Sequence, residues 1–138
     1  MELDFSTCLV FNTRMAARAV TRRYDAMLRP HGVTSAQFQL MGGISRGEGR
    51  TVTDLAERNG LDRSGLTRNL DRLERMGLIR SRQAAKGNAR VCDLTEAGEA
   101  MVARLTPIWV EAQAEMRDLL SANDFSTTLN VLKRLSRV

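Results

Sequence analysis

Arginines recur through the central segment, residues 61–80, at a spacing that suits the recognition of a polyanion. The segment reads LDRSGLTRNLDRLERMGLIR and contains Arg63, Arg68, Arg72, Arg75 and Arg80 among helically spaced leucines. A helix of this kind has one apolar face and one cationic face, and a helix fits the major groove of duplex DNA. The alternative interpretation is a solvent-exposed helix face on which the arginines pair with neighbouring acids.

Positive charge is concentrated around this segment. The 138-residue chain has a net charge of +5, while residues 58–90 hold nine Lys and Arg against three acids, so that the remaining residues sum to −1. A local basic patch on an otherwise near-neutral chain favours a polyanionic partner, either nucleic acid or an anionic membrane surface.

The leucines predict which face of the arginine-rich helix packs on the core. At 100° per residue, Leu66, Leu70 and Leu73 form one apolar stripe, with Met76 at its edge, and we expect this stripe to face the core. The opposite face is polar and carries Ser64, Thr67, Arg68, Asp71, Arg72 and Arg75.

The polar face is graded along its length. We expect base contacts in the first turns, because a helix N-terminus attracts phosphate and Asp71 would repel it farther along. Asp71 lies at salt-bridge spacing from Arg68 and Arg75. Gly65 is understandable if a side chain at that position would collide with DNA.

The flanking elements predict a winged helix-turn-helix. GRTVT, residues 49–53, is expected to be an extended link, and Thr53 is expected to cap a short helix that stops at Gly60. Asp62 then caps the arginine-rich helix. Two strands, about 78–83 and 89–94, are expected around the turn at Gly87 and Asn88. Two helices followed by such a hairpin are typical of winged DNA-binding lobes.

The outer thirds of the chain are helical in pattern. A helix over 5–29 should end at Pro30, and a second helix should begin at Thr34, which with Gln37 has capping-box spacing, and fade by 47–49. A helix over 96–120, kinked at Pro107, would be about 37 Å long, too long for one small lobe to cover. We therefore expect it to pack on another subunit, and a last helix to be capped within 121–124.

Three stretches resemble the MarR family of bacterial transcriptional regulators. They are TVTDLAERNGLDRSGLTRNLDRLERMGLI, LTEAGEAM and RAVTRRYDAMLRPHGVTSAQFQLM, and the order of elements agrees from about residue 5 onward. The resemblance implies a single domain over 1–138 that is mainly α with a small β-hairpin wing. In it, a winged helix-turn-helix lobe over 34–95 stands beside dimerisation helices within 5–33 and 96–138.

The resemblance also implies a function. It is that of a homodimeric, sequence-specific regulator of transcription, a repressor that binds a pseudo-palindromic operator in double-stranded DNA without a cofactor and is released by a small aromatic or phenolic effector. The residues that it places on DNA are Arg63, Ser64, Thr67, Arg68 and Arg72 in the recognition helix and Lys86, Asn88 and Arg90 in the wing. Family wings commonly carry Asp-x-Arg, whereas this chain has Lys86 and Asn88 at those positions. Arg90 either replaces the missing arginine or braces a strand.

An effector pocket is expected where the dimerisation helices meet the winged lobe. The candidate lining residues are Tyr24, His31, Phe38, Met41 and Trp109, with Arg14 and Arg18 available for an effector carboxylate. Core packing of the apolar and aromatic residues, and salt bridges between subunits for the arginines, are the alternatives.

The two cysteines are expected to be thiols. Cys8 lies near the start of the first helix, as does the reactive cysteine in the hydroperoxide-sensing branch of the MarR family, so redox sensing is one interpretation. However, Val10 occupies the aligned sensing position, and a small apolar interface residue is the other interpretation. Cys92 is expected to pack in a wing strand.

Other functional classes have little support. His31 is the only histidine, so neither a Ser-His-Asp triad nor a multi-histidine metal site has its companions, and catalysis and metal binding are not expected. RGEGRT lacks the Gly-Lys-Ser/Thr of a phosphate loop. No apolar run approaches the roughly 20 residues of a membrane span, and the acidic N-terminus is unlike a signal peptide, so a soluble cytoplasmic protein is expected. A winged-helix module that binds an acidic protein surface remains the alternative to a DNA-binding regulator.

Overall fold

The fold is mainly helical, with one two-stranded antiparallel sheet, as the sequence predicts. The structure is a computed structural model that describes residues 1–47 and 51–138. Its helices are α1 Leu9–Leu28, α2 Ser35–Arg46, α3 Val52–Asn59, α4 Arg63–Arg75, α5 Glu96–Leu120 and α6 Ala122–Leu135, its strands are β1 Ile79–Gln83 and β2 Arg90–Leu94, and 3₁₀ turns span Phe5–Thr7 and Arg29–His31. Within the described residues, no helix combines the length and the apolar character needed to cross a membrane.

The first helix begins later than predicted. Asp4 accepts a hydrogen bond from the backbone N–H of Ser6 and caps a separate 3₁₀ turn, and extended backbone at Cys8 then separates that turn from α1. At its other end, Pro30 lies in the second 3₁₀ turn, and Gly32 adopts the left-handed region with φ 81°. The predicted end of the helix is therefore confirmed, whereas its predicted start at residue 5 is wrong.

Helix α2 begins with the predicted capping box. The N–H of Gln37 donates to Thr34 Oγ1 at 3.2 Å, and the N–H of Thr34 donates to Gln37 Oε1 at 3.1 Å. The amide nitrogen of Gln37, a buried residue, also donates to Asn69 Oδ1 at 3.4 Å. The cap thus contributes a link between α2 and α4.

Helix α3 begins two residues earlier than predicted. Its cap is Thr51, whose Oγ1 accepts the N–H of Asp54 at 3.2 Å while the Asp54 carboxylate accepts the N–H of Thr51 at 3.3 Å. A cap at Thr53 would have Ala56 at the reciprocal position, and alanine cannot return the hydrogen bond. The predicted extended link is consequently wrong from Val52 onward, and its residues 49 and 50 lie outside the described residues. The helix ends at Gly60 as predicted, with φ 61°.

The leucine stripe of α4 forms the centre of the core. Leu66, Leu70 and Leu73 are fully buried and share a cluster with residues of α2, α3 and α5. Met76 is 38% exposed, so its predicted place in the stripe is wrong. The helix closes at this residue: Gly77 has φ 75°, and the N–H of Leu78 donates to the Leu73 carbonyl at 3.0 Å. This closure places Leu78, rather than Met76, in the core.

The hairpin follows the predicted strands to within about a residue. Ile79 pairs with Leu94 and Gln83 with Arg90, and Gly87 in the connecting turn has φ 82°. Thr95 caps α5 by accepting the N–H of Gly98 at 3.1 Å. Gly98 is buried against the carbonyl group of Leu78, so the start of α5 lies directly on the segment that joins α4 to the wing.

The outer helices pack on each other but leave much apolar surface exposed. Arg23 of α1 forms an ion pair with Glu115 of α5 at 2.6 Å, and the hydroxyl of Tyr24 is hydrogen-bonded to Gln113. Helix α5 has the predicted span with Pro107 inside it, and Ser121 caps α6. The kink expected at Pro107 remains a prediction. Exposed apolar residues on these helices include Leu9, Val10, Phe11, Met15 and Val20 on α1, Val110, Leu119 and Leu120 on α5, and Leu129, Val131 and Leu132 on α6.

Candidate nucleic-acid interface

The N-terminus of α4 is capped by a carboxylate. Asp62 Oδ1 accepts the N–H of Gly65 at 2.9 Å, and Oδ2 accepts the hydroxyl of Ser64 at 3.1 Å. The hydrogen bond from the Gly65 N–H is the largest of the effects that lower the pKa of Asp62, so this side chain is anionic at neutral pH. A phosphate that approaches this helix end would meet the Asp62 carboxylate, and the Gly65 N–H is already engaged.

Gly65 lies directly against this cap. A Cβ on Gly65 would lie 2.5 Å from Asp62 Oδ1, so the Asp62 side chain would have to shift to accept the same hydrogen bond. Glycine therefore suits the observed position of the Asp62 carboxylate. A collision between a side chain at this position and DNA stays a prediction.

The outward face of α4 presents cations that are available to a partner. Arg63, Arg68, Arg72 and Arg75 are exposed, and within the described part of the chain none of them forms an ion pair at salt-bridge distance. Arg68 lies near Asp62 and contributes to lowering its pKa. The hydroxyl of Thr67 donates to the Arg63 carbonyl at 2.8 Å, which occupies its proton. The observed face is cationic and largely unpaired, unlike the salt-bridged face of the alternative interpretation.

Asp71 has a different partner from the two predicted. It forms an ion pair with Arg90 of β2, Oδ1 to Nη1, at 3.0 Å. The sequence prediction considered only neighbours on the same helix, Arg68 and Arg75. The wing brings an arginine to Asp71 because the hairpin folds back beside α4.

The predicted wing residues fall into two groups. Lys86 and Asn88 are exposed around the turn, whereas Arg90 begins β2 opposite Gln83 and its side chain, only 28% exposed, lies against α4. The amide nitrogen of Gln83 donates to Asn88 Oδ1 at 2.8 Å. Among the described residues, the amide nitrogen of Asn88 has no hydrogen-bond partner. The wing tip thus offers one ammonium and one oriented amide donor.

A cavity of about 710 Å³ lies between α2, α3 and α5. Two of the seven predicted effector residues, Phe38 and Trp109, line it. Sequence reasoning missed its polar lining, which includes Gln39, Ser45, Arg46, Arg58 and Asn59. The spacing of Phe38, Gly42 and Arg46, four residues apart on one helix face, was the available signal.

The other five predicted effector residues lie outside this cavity. Met41 is fully buried in the core, and Tyr24 is hydrogen-bonded to α5, where burial raises the pKa of its phenol. Arg14 and Arg18 are exposed on α1, and His31 is half-buried in the second 3₁₀ turn. The described residues therefore do not bring the seven candidates together as one site.

The chain is similar to known transcriptional regulators over nearly its whole length. A family model described as MarR family matches residues 31–90. The transcriptional regulator MosR of M. tuberculosis is 33% identical, with 97% of this chain and 96% of that chain covered and a TM-score of 0.87. The chain belongs to the MarR family. A structure of MosR in complex with DNA matches with 35% identity, 94% coverage of both chains and a TM-score of 0.85.

The MarR fold extends to more distant proteins. PcaV of Streptomyces coelicolor, solved in complex with its natural ligand, has a TM-score of 0.89 over 100% of this chain and 98% of its own, but only 22% identity. That likeness supports the fold alone. No curated protein matches the sequence. Membership of the MarR family makes this chain a DNA-binding winged helix-turn-helix transcriptional regulator and not an enzyme.

The cysteines of this MarR-family regulator lie in different environments. Cys8 is half-buried at the N-cap of α1, where its carbonyl accepts a hydrogen bond from the Asn12 side chain at 2.8 Å. Cys92 is buried in β2 with its Sγ 3.8 Å from Ser81 Oγ, and burial raises the pKa of its thiol. Packing of Cys92 in a wing strand is confirmed. Within residues 1–47 and 51–138, no three His, Cys, Asp or Glu side chains group as metal ligands would.

Proposed function

We propose that this MarR-family regulator is a homodimeric repressor, acting in the cytoplasm, that binds a pseudo-palindromic operator through α4 and the wing. The observation that carries the proposal is the outward face of α4, where the exposed arginines have no ion-pair partners among residues 1–47 and 51–138 and lie opposite a fully buried leucine stripe. The buried stripe fixes the helix, so the cations are presented in a set geometry. The MosR structure in complex with DNA supports the same partner.

The geometry supports a division of roles along α4. Arg68 suits a bidentate contact with a guanine, and the hydroxyl oxygen of Ser64, whose proton is bound to Asp62, suits a donor group of a base. Thr67 keeps its methyl group for a thymine, because its proton is bound to the Arg63 carbonyl. Arg63 and Arg72 suit phosphates on either side.

At the wing tip, Lys86 suits a phosphate and Asn88 suits the minor groove. That groove presents mainly acceptors, and the Asn88 amide offers a donor oriented by Gln83.

A second copy of the chain is proposed to cover the exposed apolar faces of α1, α5 and α6. A helix as long as α5 reaches beyond a single lobe, and two copies would present two α4 helices to half-sites about one helical turn apart. Sedimentation in the absence of DNA tests this assembly. A monomer at micromolar concentration would contradict it.

The cavity between α2, α3 and α5 is proposed to take a small aromatic effector that carries an anionic group. Phe38 and Trp109 supply the aromatic walls, and Arg46 and Arg58 supply cations. Because α3 is the first helix of the helix-turn-helix and α2 is hydrogen-bonded to α4, a ligand lodged against α5 can shift the DNA-binding helices. Trp109 is the only tryptophan, so its fluorescence reports binding directly. Benzoate and 4-hydroxybenzoate serve as probes, with Arg58→Gln as the variant in which binding should weaken.

Salt-dependent binding to duplex DNA tests the central proposal. A duplex selected by the protein from a random pool should bind with an affinity that falls steeply as salt rises, because each phosphate contact releases a counterion. Absence of duplex binding at low salt would contradict the proposal and favour the protein-interaction module.

A further inference from the structure

Every nitrogen of the Arg90 guanidinium group has a partner, and two of the three partners lie on α4. Nη1 lies 3.0 Å from Asp71 Oδ1, Nη2 lies 3.2 Å from Glu74 Oε2, and Nε donates to Ser81 Oγ at 2.9 Å. We propose that Arg90 is a positioning residue that fixes the wing against the recognition helix, so that both elements meet DNA as one unit. This inference rests on the proposed DNA-binding function.

The contacts join three elements of the fold. Asp71 and Glu74 are three residues apart on one side of α4, Ser81 lies on β1, and Arg90 lies on β2. Glu74 uses both carboxylate oxygens: Oε2 accepts from Arg90, and Oε1 accepts the backbone N–H of Ser81 at 2.9 Å. Each strand is therefore tied to α4 by a separate hydrogen bond. The planar fork of arginine can hold two carboxylates and a hydroxyl at once, which a lysine ammonium on a flexible stem does less well.

The wing needs such an attachment. A two-stranded hairpin alone is at best marginally stable in water, so its direction depends on what its strands pack against. Val91 and Cys92 supply buried contacts from β2, and Arg82 and Asp93 pair across the strands at 2.6 Å. The Arg82 pair stiffens the hairpin itself, whereas the Arg90 contacts set its direction relative to α4.

The same contacts argue against Arg90 as a direct DNA ligand. Its side chain is 28% exposed and its charge faces two carboxylates, whereas the exposed lysine of the wing tip, Lys86, lies beyond the strands. The Asp71 and Glu74 side chains are 47% and 42% exposed on the helix that carries the basic face. Arg90 therefore also offsets two negative charges that would repel phosphate.

A double-mutant cycle tests the inference on a duplex selected by the wild-type protein from a random pool. Arg90→Gln should weaken binding by roughly five- to thirtyfold, the range expected for a coupled network of contacts. Lys86→Gln should weaken wild-type binding, yet have little further effect in the Arg90→Gln background, because a misdirected wing no longer brings its tip to the DNA. Arg90→Lys should bind the duplex more tightly than Arg90→Gln but more weakly than wild type.

Arg80→Gln is the matched control. Arg80 is exposed on the adjacent strand and has no ion-pair partner among the described residues, so this change removes the same charge without touching α4. The fold losses of DNA affinity caused by Arg80→Gln and by Lys86→Gln should multiply in the double variant. Multiplicative effects of Arg90→Gln and Lys86→Gln, or unchanged binding by Arg90→Gln, would overturn the inference while leaving the proposed function intact.

A measurement without DNA separates the two failures. Amide hydrogen exchange in Arg90→Gln should quicken at Ser81 and along both strands, while α1 and α5 keep their wild-type protection. If the wild-type protein binds no selected duplex, the proposed function fails. Unchanged hydrogen exchange in Arg90→Gln would show that Arg90 does not hold the wing, whether or not the protein binds DNA. Should Arg90→Gln unfold, Asp71→Asn removes the charge of one carboxylate that, among the described residues, pairs with Arg90 alone and should give the same pattern at smaller amplitude.

Discussion

Gly98→Ala should destabilise the regulator at the point where α5 meets the wing. A Cβ at this buried position would overlap the carbonyl oxygen of Leu78 and lie 3.0 Å from its carbonyl carbon and 3.3 Å from Leu94 Cδ2. The overlapping atom is backbone, so no side-chain rotation relieves it. Overpacking of this kind costs about 1–3 kcal/mol or more, against a gain of about 1 kcal/mol from replacing glycine in a helix. Because the clash is with backbone, the cost lies at the upper end of that range, and the expected net loss in the free energy of unfolding is ~2 kcal/mol.

Thermal unfolding followed by circular dichroism measures this effect. A loss of that size in a chain of this length corresponds to a fall in Tm of roughly 3–10 °C. Gly42→Ala is the matched control, because Gly42 is also helical but a Cβ there would meet no atom of the described residues within 4 Å, so the Tm of this variant should equal or exceed that of wild type. A Tm for Gly98→Ala equal to or above that of wild type would refute the packing argument.

Three further predictions concern the DNA-binding helix and the first cysteine. Arg68→Ala should cost about 1–3 kcal/mol of operator binding and relax base preference, as measured by fluorescence anisotropy. An Arg68→Ala variant that binds as tightly as wild type would show that Arg68 makes no base contact. Gly65→Ala should raise Tm less in wild type than in an Asp62→Ala background, because the Asp62 carboxylate must shift only where it is present, and equal changes of Tm in both backgrounds would refute that cause. Cys8→Ser should leave DNA affinity and its response to peroxide unchanged, whereas a lost peroxide response would establish redox sensing.

The sequence predicted features that depend on nearby residues. The capping box at Thr34, the cap at Asp62 and the helix stop at Gly60 each involve residues at most three positions apart, and all three are confirmed. The leucine stripe of α4 was predictable for a similar reason, since helical periodicity is local. The prediction at Thr53 was wrong because two threonines compete for one cap, and the reciprocal hydrogen bond to Asp54 selects Thr51.

Features that depend on the packing of distant elements were not predictable in the same way. Phe38 and Trp109 lie more than 70 residues apart, and only the packing of α2 on α5 places both at one cavity, together with Arg58 from α3. Composition gave no reason to prefer Arg58 or Arg46 over Arg14 and Arg18. The folded positions of these four arginines distinguish them: the first two line the cavity and the last two are exposed on α1.

The acids of α4 explain why its arginines remain available for a partner. At helical spacing, Asp71 could pair with Arg68 or Arg75, which would withdraw positive charge from the outward face. Arg90 instead engages both Asp71 and Glu74 from the side of the wing. Because Arg90 forms both ion pairs, neither acid pairs with Arg68 or Arg75, and these two arginines stay available on the cationic face. Removal of Arg90 should therefore have two consequences, a misdirected wing and a less positive recognition helix, and the double-mutant cycle with Lys86 isolates the first.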